Sequence, residues 1–273
     1  MVRSPLLDAV VEVLTKMPAV KVVTLFGSRA SGRADADSDI DLQIITSRPA
    51  AFQTKEWLAD VGKQVPVYAL RPAFGRAVKA TAILEGTQID IVVLPLWRLT
   101  VAQWLVRIHL HRRSRHLRRL LADLSIVLRP GYAVVSGTDE WRRFFSTVVA
   151  EVPDPRLTDE EVVRLADCAF VDYLSVRRKI ARGELLAAQR WLHVHLVDTN
   201  LKLLHEHVLR SGGATCHDGR RIEQLRSLSE QDLVRVNAHV TAEELLPAAT
   251  SAIGATRALV QRLTGRPPEW SSS

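Results

Sequence analysis

The chain has little cysteine, with Cys168 and Cys216 alone among 273 residues. Two thiols cannot build a disulfide framework, and they read as small buried side chains of a reducing compartment. Long apolar runs are missing as well. The longest, such as Ile91 to Trp97, falls far short of the roughly 20 residues that span a bilayer, so no membrane partner is expected. No secretory-signal pattern precedes the first amphipathic stretch, and a cytoplasmic location is the expectation. Aromatic residues make up 5% of the chain, too few for a stacking platform for single-stranded nucleic acid. Internal repeats and coiled-coil heptads are absent, which excludes solenoids and long coiled coils.

What is present is ordinary for a globular protein: 47% apolar residues, 25% charged residues, and length enough for two domains. The net charge of +7 and pI near 9.8 favour an anionic partner. Arginine-rich coding alone would give the same excess.

Leu6, Val10, Val13 and Leu14 recur at helical spacing and predict a first amphipathic helix. Lys21 to Phe26 reads as a buried strand ended by Gly27-Ser28, and Ile40 to Ile45 as a half-buried strand. Val65 to Leu70 and Ala80 to Glu85 are further strands, with Pro72 to Gly75 as a loop between them. Gly86-Thr87 turns the chain into a strand from Ile89 to Leu94, which Pro95 closes. Strands and helices in this order predict a small α/β (α+β) domain with a mixed sheet. From about Leu99 the pattern is helical. Pro130-Gly131 and Val152-Pro153-Asp154-Pro155 interrupt it, and the second break divides a domain of residues 1–150 from a helical-bundle domain of residues 151–273. Thr158 opens the second domain with a capping box completed by Glu161. The helical remainder is interrupted at Ser211-Gly212-Gly213 and ends in a tail rich in proline and serine.

The chemistry sits in Gly27-Ser28, ten residues, and then Asp39-Ile40-Asp41-Leu42. Side chains alternate along a strand, so Asp39 and Asp41 share one face while Ile40 and Leu42 bury the other. Adjacent carboxylates repel unless a cation neutralises them, and magnesium takes oxygen ligands of this kind. Asp90 lies on a later strand that can neighbour the first. Three acids so placed suit a two-ion site, one ion activating a hydroxyl and the other steadying a triphosphate and its leaving pyrophosphate. Gly27 lets the backbone approach phosphates, the turn amides and the Ser28 hydroxyl can hold them, and Arg29 adds a charge-assisted contact.

GSRASGRADADSDIDLQII resembles the signature of polymerase-β-type nucleotidyltransferases. VVTLFGSR, the Asp39 region, WLADVGKQV, QIDIVVLPL and IARGELLAAQRWL resemble, more narrowly, bacterial aminoglycoside (streptomycin) 6-adenylyltransferases. The resemblance implies a nucleotidyltransferase domain followed by a helical domain that lines the acceptor site. It implies metal ligation by Asp39 and Asp41, with Asp90 as third catalytic acid acting as ligand, base or both. It further implies Mg2+ as cofactor, ATP as co-substrate, and transfer of AMP to an aminoglycoside in antibiotic resistance. Aminoglycosides are polycations, whereas this chain is basic, so RNA or protein stays open as an alternative acceptor, as does a silent nucleotide-binding module.

In the helical half, Asp167 is a candidate for orienting or deprotonating an acceptor hydroxyl, in a partly buried position among Leu165, Ala166, Cys168 and Ala169. Asp172, five positions on, need not share its face and reads as a solvated or salt-bridged acid, and Glu184 follows the helix. Arg107 to Arg119 holds six arginines and three histidines with no acid, an amphipathic helix with Ile108, Leu117, Leu120 and Leu121 on its apolar side. The pairs His193/His195 and His205/His207 point about 160° apart on a helix and cannot chelate one ion. Trp57, Trp97, Trp104, Trp141 and Trp191 read as core, with Trp191 also able to line an acceptor pocket.

Overall fold

Strand alternation and short turns organise the first part of the protein. The structure, a computed structural model, describes residues 4–35, 38–61, 64–73, 77–213 and 236–270. Cys216, Phe74 and Gly75 of the expected loop, and Gly62 and Lys63 of WLADVGKQV lie outside the described residues. The chain divides into two units, Met1–Pro155 and Arg156–Ser273.

In the first unit, α1 (Pro5–Lys16) starts where the Ser4 hydroxyl accepts from the Leu7 amide, with proline in the first turn. It buries Leu7, Val10, Val13 and Leu14. Six strands follow in one sheet: β1 (Val20–Phe26), β2 (Ile40–Thr46), β3 (Val67–Pro72), β4 (Val78–Leu84), β5 (Thr87–Pro95) and β6 (Tyr132–Ser136). Their order is β3-β4-β5-β2-β1-β6. β2 and β5 run parallel and every other neighbouring pair is antiparallel, so the sheet is mixed, as the sequence predicts. The β4–β5 hairpin turns on Glu85 (φ 50) and Gly86 (φ 80). Two left-handed residues match the twist of the flanking strands, and they fix Leu84 opposite Thr87 and Thr81 opposite Asp90.

The two faces of the sheet carry separate cores. Ile40, Leu42 and Ile44 of β2 join Ile89, Ile91 and Val93 of β5 under α1 and the 3₁₀ turns Pro49–Phe52 and Glu56–Val61. The alternate residues Val22, Ile45, Val92 and Leu94 pack with helices that follow the sheet. A single helical turn, α2 (Gly27–Ala30), follows β1. α3 (Leu96–Arg107), α4 (Leu110–Arg113), α5 (Arg115–Leu128) and α6 (Asp139–Glu151) follow β5, with β6 between the last two.

Several expectations are corrected here. The stretch Arg107 to Arg119 is not one helix: His109 adopts a left-handed conformation (φ 57), and Ser114 caps a new helix by accepting from the Leu117 amide. Leu117 and Leu121 are buried, whereas Ile108 and Leu120 are exposed. The Pro130-Gly131 break leads into β6 rather than more helix, because Tyr132 to Ser136 pairs with β1. Gly131 (φ 146) lies so close to Ser31 that a Cβ on it would meet the Ser31 Cβ at 2.7 Å. Trp57 and Trp141 are core residues, but Trp97 and Trp104 are 67% and 59% exposed, which removes the composition-based objection to surface aromatics.

The second unit is helical among the described residues. α7 (Asp159–Ala181) begins with the expected capping box of Thr158 and Glu161. α8 (Leu185–Trp191), a π-helical turn (Leu192–Val197), α9 (Asp198–Arg210) and α10 (Ala242–Thr264) complete it. Gly212 (φ 73) follows the end of α9 at the expected Ser211-Gly212-Gly213 break. Buried Glu206 accepts from Arg156, Arg210 and the Leu157 amide and ties the unit's first residues to α9. Cys168 is exposed on α7 rather than buried, because Ala166 and Ala169 take the inward positions.

One ion cluster anchors the end of α6. Glu151 accepts from both Arg112 guanidinium donors at 2.7 and 2.8 Å and pairs with the buried His111 Nε2 at 2.8 Å. These hydrogen bonds, Arg112 first and His111 second, pull the Glu151 carboxyl down to about 2. A carboxyl depressed in the folded state contributes stability that is fully present above its unfolded value, about 4.3, and is lost as pH falls through the folded one. Glu151→Gln is therefore expected to flatten the acid limb of the stability–pH curve between about pH 4.5 and pH 2, as read from urea midpoints at stepped pH.

Candidate active site

The register of β2 against β5 places Asp41 and Asp90 as direct Cα partners on parallel strands. Both therefore project from the same face, opposite the core formed by Ile40, Leu42, Ile89 and Ile91. Asp39 precedes β2 and is exposed, two residues before Asp41. Phe26, the last residue of β1, pairs with Asp41, so the chain enters the Gly27 turn directly beside that carboxylate. Gly27 has φ 76, and a Cβ there would sit 2.5 Å from Asp41 Oδ2. The space beside Asp41 exists because residue 27 has no side chain.

Arg29 behaves differently from its expected role on a phosphate. It is buried, with Nε donating to the Asp39 carbonyl at 3.1 Å and Nη2 to the Ser38 carbonyl at 2.7 Å. Its guanidinium clamps the loop that delivers Asp39 and Asp41 into β2. Ser31 steadies the Gly27 turn from the other end, its hydroxyl donating to the Gly27 carbonyl at 2.9 Å. Arg33 Nη2 reaches the Pro130 carbonyl at 3.3 Å, tying the same loop to the start of β6.

Asp90 is buried and well supplied with donors. Thr81 Oγ1 donates to Oδ1 at 2.6 Å, Gln88 Nε2 to Oδ2 at 3.0 Å, and Lys79 Nζ pairs with Oδ2 at 2.6 Å. Burial pushes the carboxyl up, but the bonds from Lys79, Thr81 and Gln88 outweigh it and hold the group below its ordinary value. Sequence reasoning missed these three partners. Counting outward from the Gly86 turn would have found them, since Thr81 falls opposite Asp90 and Lys79 lies two residues further along the same face. The expected strand start at Ala80 left Lys79 outside it.

Magnesium demands oxygen ligands. The exposed Asp39 and the Gly27-lined Asp41 fit such an ion. Asp90 would join them only in competition with the protein donors on its oxygens, one of them a cation. Among the described residues, no three His, Cys, Asp or Glu side chains come together to hold a metal ion. Of the three expected metal carboxylates, the structure sets Asp41 beside Asp90, with Asp90 paired to Lys79, Thr81 and Gln88.

Asp167 lies in the second unit. It is exposed on α7 rather than partly buried, and its Oδ1 accepts from Trp270 Nε1 at 3.0 Å. Asp172 accepts from Trp191 Nε1 at 2.9 Å, with Lys179 over the Trp191 ring. Glu184 lies 3.8 Å from Lys179.

Residues 8–94 match the model of the family described as Polymerase beta, Nucleotidyltransferase. The first unit therefore carries a nucleotidyltransferase domain of the polymerase-β type. No curated protein sequence matches the chain. Among solved structures, an aminoglycoside 6-adenyltransferase from Bacillus subtilis is similar at 13% identity and TM-score 0.42, covering 97% of this chain and 91% of that one. A nucleotidyltransferase-like protein from Exiguobacterium sibiricum is similar at 11% identity and TM-score 0.37, covering 92% and 71%. A spectinomycin adenyltransferase from Enterococcus faecialis, solved with ATP and spectinomycin, is similar at 13% identity and TM-score 0.34, covering 92% and 98%.

The contact between Gly27 and Asp41 is open to a controlled test. Gly32 shares a positive φ of 73 but has nothing within 4 Å of a built Cβ. Gly32→Ala is expected to cost about 1–2 kcal/mol, the left-handed penalty alone. Gly27→Ala is expected to cost more, because the methyl group must also displace the Asp41 carboxylate. Equal urea midpoints for the two variants would count against the close approach.

Proposed function

We propose that this protein transfers AMP from ATP to a hydroxyl of a small molecule of the aminoglycoside class, with magnesium as cofactor. The observation that carries the reading is the in-register pairing of Asp41 with Asp90 beside the Gly27 turn. The acceptor class follows from the likeness of the segments quoted above to aminoglycoside 6-adenylyltransferases. Asp39 and Asp41 would hold the metal, which when bound neutralises the triphosphate and stabilises the leaving pyrophosphate.

The remaining roles belong to the chain itself. Gly27 allows the backbone of the turn to come close to the triphosphate, and the Ser28 hydroxyl and turn amides supply donors for it. Arg29 holds the Ser38–Asp39 backbone, so the two ligands reach the site on a fixed loop. Asp90 accepts a hydrogen bond from the acceptor hydroxyl and orients its oxygen toward the α-phosphorus. A bond forms from that oxygen to the α-phosphorus while the bond to the bridging oxygen of the pyrophosphate breaks. The hydroxyl proton passes to Asp90 late, as the forming bond makes it acidic. The low basicity that Lys79 imposes on Asp90 requires this order.

A second reading, with RNA as acceptor, draws on a separate observation. Trp97 and Trp104 are exposed on α3, in a segment from Ile91 to Ala122 that contains seven arginines and no acid. Exposed rings among arginines suit single-stranded nucleic acid.

Pyrophosphate release with ATP and magnesium, screened against aminoglycosides, small alcohols and tRNA, tests the assignment. Asp41→Asn is expected to lower the rate by at least about a hundredfold with an unchanged thermal midpoint, and near-normal turnover would refute it. Turnover confined to tRNA and suppressed steeply by salt would select the second reading.

A further inference from the structure

We propose that α3 presents a docking seam for an acidic amphipathic helix of a partner protein, an interaction additional to the transfer reaction proposed above. The seam is a row of four side chains. Trp97, Val101, Trp104 and Ile108 follow one another at intervals of four, three and four residues, the spacing that keeps side chains on one line of a helix. All four are exposed, at 67%, 51%, 59% and 49%. Ile108 lies just past the last residue of α3, and its amide donates to the Trp104 carbonyl at 3.1 Å, so the row continues through it. Leu99 and Val106, on the opposite side of the helix, are buried in the core that covers the sheet. α3 is thus apolar on two opposite faces, and the row lies on the uncovered one. A helix apolar all round is expected to be buried all round. Large apolar side chains in an unbroken row mark an interaction site, whereas single scattered ones do not.

The surroundings of the row decide what covers it. From Ile91 to Ala122 the chain has seven arginines and no acid. Arg98 lies over the Trp97 ring at 5.1 Å, Arg112 is committed to Glu151, and Arg107, Arg113 and Arg115 are exposed. A second copy docking through this row would meet the same patch on its twin, and the arginines of the two would repel. Single-stranded nucleic acid would satisfy the arginines and stack on the rings. Trp97 and Trp104 stand seven residues apart, however, about 10 Å along the axis. Stacking on them leaves the aliphatic Val101 and Ile108 unburied. An acidic amphipathic helix meets both requirements. Its apolar side chains interlock with all four members of the row, and its flanking carboxylates face the basic segment.

The probe is a fluorescent stapled helix of about 14 residues, with leucine at the intervals of the row and glutamate on both flanks. It is added to the full-length protein and followed by anisotropy. Binding is expected, and expected to weaken as salt rises. A twin peptide with lysine in place of glutamate is expected to bind at least about tenfold more weakly. Val101→Glu and Trp104→Ala change exposed positions, so the urea midpoint is expected to hold while each lowers the affinity at least about tenfold. Absence of binding, or binding that ignores both variants, would overturn the proposal. A single-stranded oligonucleotide or anionic phospholipid vesicles held more tightly than the peptide would overturn it in favour of that class. Self-association in sedimentation that Trp104→Ala abolishes would give the row to a second copy instead.

Discussion

β2 and β5 lie side by side, parallel and in register, with Asp41 beside Asp90, and most of the first unit can be understood as the means of holding them there. A parallel pair cannot be joined by a tight turn. The chain satisfies this by crossing through two 3₁₀ turns and then descending through the β3-β4-β5 meander. Each face of the pair is buried against its own set of helices, which fixes the register: a one-residue slip would send Ile40, Leu42 and Ile44 to the other face and drive Asp41 into their core. The register in turn decides which carboxylates meet. Chemistry at this site is a consequence of apolar packing underneath it.

Electrostatics set the second constraint. Two strand aspartates and the acid before them gather negative charge, yet the structure compensates part of it internally. Lys79 neutralises Asp90, and the Arg29 guanidinium lies beneath the loop carrying Asp39 while bonding to its backbone. The local field is therefore less negative than a count of acids gives, and that bears on the acceptor. A polycation is drawn by uncompensated carboxylates, and Asp90, paired with Lys79, is not one of them.

Five strands of the sheet, the first helix and the capping box at Thr158 were legible in the sequence, because alternation, turn residues and capping pairs are local signals. The placement of Asp41 and Asp90 on neighbouring strands was legible for the same reason. What escaped was non-local or depended on the partner surface. β6 is five residues long and follows a helical stretch, and it becomes a strand through the edge that β1 offers. The inward turn of Arg29 depends on carbonyls nine and ten residues away. Trp97 and Trp104 have apolar side chains at helical spacing and look like core, but α3 turns them outward. The partners of Asp90 needed the hairpin register, which the Glu85-Gly86 turn encodes and which was not counted through.

The seam between Gly131 and Ser31 has a wider consequence. The family match ends at residue 94, yet the sheet is finished by a strand that arrives some forty residues later and seals the outer edge of β1. Trimming the protein to the matched segment would strip that seal, baring a row of unpaired amides along a strand whose central side chains are wholly buried. The same cut would remove the Pro130 carbonyl that Arg33 grips and the glycine against which the Ser31 end of the Gly27 turn rests. The minimal working enzyme is thus larger than its recognisable signature, and a fragment ending with β5 would be sticky at its border and slack at its centre.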